Sequence, residues 1–121
     1  DSVDDIIAHV RKVIDDDEIE IVVDKAKASP ASPVSSSTGQ GYLDIEASIH
    51  AAFGPIASVP GLTIAATDAR HYAAAADAAY RINPFSITGE DLTRFHGIDE
   101  RLSLDNIAAG ITFYAALIGR Q

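Results

Sequence analysis

The stretch Glu18-Ile19-Glu20-Ile21-Val22-Val23 decides the fold class. Its β-branched residues and partial period-two alternation predict a strand. Just ahead of it, Val3, Ile6, Ile7, Val10, Val13 and Ile14 recur on one helical face. Ser2 reads as the N-cap of that helix, with Asp5 in the place of a capping-box acid. Asp15-Asp16-Asp17 belongs to the turn that follows, because acids sit poorly at a helix C-terminus. A helix leading directly into a strand is half of a two-layer α/β unit, so the expected fold class is α/β.

Working outward, residues 24–41 change in character to Ala, Ser, Pro and Gly, a linker or domain crossing stiffened by Pro30 and Pro33. A second helix is expected with Tyr42, Ile45, Ile49, Ala52 and Phe53 on one face, stopped by Gly54-Pro55. Leu62-Thr63-Ile64-Ala65-Ala66 suits a short buried strand. Thr67 and Asp68 can cap the alanine-rich helix after it. Ala79-Tyr80-Arg81-Ile82-Asn83 looks like another strand, closed by Pro84, and a polar loop follows. Ser103 is expected to cap a last helix whose apolar stripe is Leu104, Ile107, Ala108, Ile111, Tyr114, Ala115 and Ile118.

With 121 residues the chain can form one domain with a modest core. No apolar run approaches the roughly 18 residues of a membrane-spanning helix, so no membrane partner is expected. The net charge of −9 argues against a nucleic-acid partner, since phosphate contacts need clustered Lys and Arg. Cysteine is absent, which removes disulfides, thiol nucleophiles and thiolate metal sites and leaves the compartment open. Any metal would have to use His and carboxylate ligands, as zinc or manganese can.

The polar turn Arg94-Phe95-His96-Gly97-Ile98-Asp99-Glu100-Arg101 gathers an imidazole, carboxylates and guanidinium groups ahead of the last helix. Imidazole is a common zinc ligand, and Asp99 or Glu100 could orient it through its other nitrogen. A structural histidine tying the loop to the helix explains the same residues equally well. His9 shares a polar helix face and reads as a surface residue. Glu46 and His50 stand at i and i+4, where surface pairing is the simpler account than metal binding. His71 and Arg70 follow an apolar run, and ligands gather outside the carboxyl ends of strands in open α/β sheets. Arg70 offers a planar fork suited to a carboxylate.

Taken in order, Thr67-Asp68-Ala69-Arg70-His71-Tyr72, Tyr80-Arg81-Ile82-Asn83-Pro84 and Phe95-His96-Gly97-Ile98-Asp99-Glu100-Arg101-Leu102-Ser103 carry a resemblance. The chain resembles the C-terminal part of the co-catalytic zinc peptidase and amidohydrolase family of carboxypeptidase S, aminoacylase I and carnosinase. The likeness is greatest to the carboxypeptidase S branch. It implies that residues 1–23 end a lid or dimerisation domain, 24–41 cross back, and 42–121 belong to a catalytic domain with a sheet flanked by helices. His96 would be the last metal-ligating histidine of a site holding two zinc ions. Arg70 would bind the free carboxylate of a small peptide or N-acyl amino acid, with Thr67 lining that pocket. The implied chemistry is amide hydrolysis by a zinc-activated water with a glutamate base.

Two departures from the family pattern stand out. Ala65-Ala66 occupies the place of a usual Gly-Gly, which bears on specificity. The family's other metal ligands and its general base have no counterpart here, so no catalytic residue is assigned, and the missing N-terminal half becomes an expected partner. The isolated chain is expected to be inactive and to hold zinc weakly or not at all. A rival from another class is a stand-alone interaction module. An exposed strand edge and apolar helix face would then favour a homodimer.

Overall fold

Ser2 begins the first helix, α1 (Val3–Ile14), through the expected capping box. The Asp5 N–H donates to Ser2 Oγ at 3.1 Å, and Ser2 N–H donates back to Asp5 Oδ2 at 2.8 Å. The Ser2 N–H, together with the Ser2 hydroxyl that donates to the same Oδ2 at 2.8 Å, holds the Asp5 carboxyl below its ordinary pKa. Asp15 ends the helix in the left-handed conformation, φ 48°, and its N–H donates to the Arg11 carbonyl. This is a computed structural model, and it describes residues 2–24 and 26–121. Asp1 and Lys25, which fall within the expected lid and crossing segments, lie outside the described residues.

The other helices are α2 (Gln40–Phe53), the single turns α3 (Ala69–Tyr72) and α4 (Gly89–Leu92), and α5 (Leu104–Ile118). Gly54 stops α2 at φ 77°, as its sequence position foretold. Ser103 caps α5, accepting from Asn106 N–H at 3.2 Å. Helix α4 arises where only a polar loop was expected. A second capping box builds it: Asp91 N–H donates to Thr88 Oγ1, and Thr88 N–H donates to Asp91 Oδ2 at 2.9 Å.

Among the described residues there is no strand, which corrects the expected sheet and all three strands at 18–23, 62–66 and 79–83. The physical reason is that a strand is defined by a neighbour that completes its backbone hydrogen bonds. Among the described residues these runs meet no such neighbour. A serine side chain takes that place at Ala79: Ser35 Oγ donates to the Ala79 carbonyl at 3.1 Å and accepts from Ala79 N–H at 2.9 Å. Tyr80 OH donates to the Ser36 carbonyl at 2.7 Å.

The core lies where α5 packs on α2. Phe113 and Ser48 are fully buried there, with Ser48 Oγ donating to the Asp44 carbonyl at 2.6 Å. Gly110 is buried as well, and a Cβ at that position would stand 2.6 Å from Phe85 Cε1. The expected apolar stripe of α5 faces the other way: Leu104, Ile111 and Ile118 are 82%, 66% and 71% exposed. The helix is apolar on both sides, so periodicity found the wrong one of two faces. No helix among the described residues is long and apolar enough to cross a membrane.

Candidate functional site

A cavity of about 910 Å³ opens between the crossing segment, α2, residues 56–67 and residues 79–82. Thr67, Arg70, Arg81, Ser32 and Glu46 are among its polar residues. Thr67 and Arg70 were singled out by sequence, and the fold brings both to this cavity. The expected cap is absent, since neither Thr67 nor Asp68 places a side chain on α3. Thr67 Oγ1 instead accepts a hydrogen bond from Arg81 Nε at 2.9 Å. Arg70 is exposed, and its Nε donates to His71 Nε2 at 3.2 Å. The two Nη groups are the donor pair suited to a bidentate carboxylate.

Ala65 and Ala66 line the same cavity, and neither has the positive φ that would favour glycine. Their methyl groups are accommodated without backbone strain, so they shape the wall rather than distort it.

His96 stands apart. It is exposed and lines neither this cavity nor a second one of about 600 Å³ beside Asp91 and Asn106. Its backbone is left-handed, φ 57°, as is that of Asp99 at 66°. Such a conformation is uncommon outside glycine, although His and Asp adopt it more readily than most residues. The expected orientation of the imidazole by Asp99 or Glu100 is not found. Glu100 Oε2 accepts from the His96 backbone N–H at 3.3 Å, and Asp99 pairs with Arg101 at 3.2 Å. Arg94 turns toward Glu90 and Asp91. Glu100 therefore holds the backbone of the turn, Asp99 is taken by Arg101, and neither carboxylate engages the ring.

Among the described residues, no group of three or more His, Cys, Asp or Glu side chains could hold a metal ion. The i, i+4 pairing of Glu46 with His50 is not made, because His50 Nε2 meets the Ile56 carbonyl at 2.9 Å. His9 is exposed, as expected for a surface residue.

Sequence reasoning missed Arg81, which lines the cavity and joins Thr67 to Ser32 through its Nε and Nη2. The available signal was a lone cation inside the otherwise uncharged run Ala78-Ala79-Tyr80-Arg81-Ile82. Such a group needs polar partners from elsewhere in the chain.

The description Peptidase family M20/M25/M40 matches residues 4–120, and the chain belongs to that family. It is 39% identical over 118 residues to a probable carboxypeptidase S-like 2 of Dictyostelium discoideum, covering 98% of this chain and 22% of that protein. The N-fatty-acyl-amino acid synthase/hydrolase PM20D1 of Xenopus tropicalis is 31% identical over 118 residues, covering 97% and 23%. The PM20D1 of Mus musculus is 32% identical over 114 residues, covering 93% and 22%. The chain thus spans less than a quarter of the length of these curated relatives. No solved structure matches it.

Proposed function

We propose that the chain is the C-terminal portion of a metallopeptidase of carboxypeptidase type, or of an N-acyl-amino-acid amidohydrolase. The intact enzyme would cleave an amide bond next to a free carboxylate. The observation that carries this reading is the family match along residues 4–120, with relatives named for carboxypeptidase and acyl-amino-acid chemistry. In this reading residues 1–23 end a lid domain, 24–41 cross back, and 42–121 complete a catalytic domain. Arg70 grips the substrate carboxylate, and Thr67 lines the pocket beside it.

His96 is one metal ligand in this reading. The described residues do not form a metal site by themselves, and in this reading the remaining ligands are supplied by the rest of the enzyme. The exposed ring and its left-handed backbone are compatible with a ligand that completes a site built elsewhere.

Kinetics and metal analysis of the full-length enzyme test the proposal. His96→Ala should lower metal content at one site. Arg70→Ala should raise KM for N-acyl amino acids while leaving carboxyl-amidated analogues little changed. Equal effects on both substrates would remove the carboxylate clamp. The 121 residues alone, supplied with zinc, should show no turnover of dipeptides or N-acyl amino acids. Turnover there would overturn the claim that this portion is incomplete.

The exposed stripe of α5 is the observation that favours a second reading, an interaction module that covers this face with another chain. Solution mass and zinc content of the purified chain would separate the two.

A further inference from the structure

Arg81 is half-buried and stands at a junction of three segments distant in sequence. Its Nη2 donates to Ser32 Oγ at 3.0 Å in the crossing segment, and its Nε donates to Thr67 Oγ1 at 2.9 Å ahead of α3. No ion pair of Arg81 is found among the described residues. Its two side-chain hydrogen bonds therefore go to neutral hydroxyls, which accept directionally.

The base of the side chain is held as firmly as its tip. Ser35 clamps both backbone groups of Ala79, and Ser36 receives the Tyr80 hydroxyl. The Tyr80 ring presses on the first turn of α2, where a Cβ on Gly41 would come within 3.0 Å of Tyr80 Cε2. Beyond Thr67 the connection continues through the backbone, because Arg70 N–H donates to the Thr67 carbonyl at 3.3 Å. Among the described residues Arg70 itself has only its neighbour His71 as a side-chain partner. The placement of its guanidinium depends on the backbone that Thr67 anchors.

We propose that Arg81 is a positioning residue: its forked guanidinium fixes Thr67 against Ser32 and so sets the turn that presents Arg70 to the substrate carboxylate. The proposal rests on the carboxylate-binding role given to Arg70 above. Its action needs the planar fork and not only the charge, because an ammonium cannot span two hydroxyls with the same geometry.

In the full-length enzyme, Arg81→Met and Arg81→Lys should each raise KM for an N-acyl amino acid about tenfold, the scale of losing a charge-assisted hydrogen bond. The value of kcat should change less than about threefold, since ground-state and transition-state binding lose the same contact. Thr67→Val combined with Arg81→Met should be no worse than the more severe single variant. Ser32→Ala, a milder change that keeps the guanidinium, should shift KM in the same direction by less. Full retention of KM in Arg81→Lys, additive effects in the double variant, or equal loss on amidated substrates would overturn the role.

Amide hydrogen exchange over residues 67–72 supplies an independent readout. Exchange should quicken in Arg81→Met, and unchanged exchange would remove the clamp. If Arg70→Ala fails to distinguish the substrates while exchange still responds to Arg81, the substrate reading has failed and the clamp stands.

Discussion

The α2–α5 pair and the arc from Val59 to Ala66 are both rich in apolar residues, yet only the first makes a core. Phe113 between the helices is 0% exposed, whereas Ile64 in the arc is 103% exposed. A helix satisfies its own backbone, so two of them need only meet side by side. An extended apolar run must borrow hydrogen bonds from a neighbour before its side chains can be buried. Apolar content alone does not create an interior.

Removing the core residue should break this contrast most severely. Phe113→Ala should lower the unfolding free energy by about 3–5 kcal/mol in urea titration, because its cavity lies between the only helices that pack on each other among the described residues. Loss below about 1 kcal/mol would place the core elsewhere. Gly110→Ala comes next, at about 1–3 kcal/mol, since the new methyl collides with Phe85. A thermal melt unchanged by that variant would show the contact to be loose. Ser103→Ala should remove about 1 kcal/mol by freeing Asn106 N–H at the start of α5.

Acid titration sharpens the comparison at its smallest scale. Asp91 has its pKa lowered from 3.8, chiefly by the Thr88 hydroxyl and backbone N–H, and Asp5 is lowered by Ser2 in the same way. A depressed folded-state pKa adds stability that is present above the unfolded value and is lost as pH falls through the folded one. Helicity of α1 and α4 should therefore weaken slightly below the ordinary carboxylate range. Asp91→Asn should flatten that acid limb, and an unaltered limb would assign it to other carboxylates.

The contrast also explains what the sequence could convey. Ser2, Gly54 and Ser103 were legible as helix boundaries because each acts on groups within a turn of itself. The strands were not realised, because period-two patterning specifies a face and says nothing of whether a neighbour is there. Helix α5 defeated the pattern differently: with apolar residues nearly all round, the choice of buried face fell to Gly110 and Phe113. Thr67 and Arg70 were singled out through their order in the chain, and both line the larger cavity. Arg81 was not, since Ser32 lies 49 residues away from it.

The contact of Gly110 with Phe85 has a consequence for the history of the chain. Two positions that compete for one volume cannot vary freely, and enlargement at one demands reduction at the other. Relatives that carry a side chain at the place of Gly110 should show a smaller residue at the place of Phe85. Homologous sequences would thus record, as paired substitution, how closely the approach to α5 has been kept.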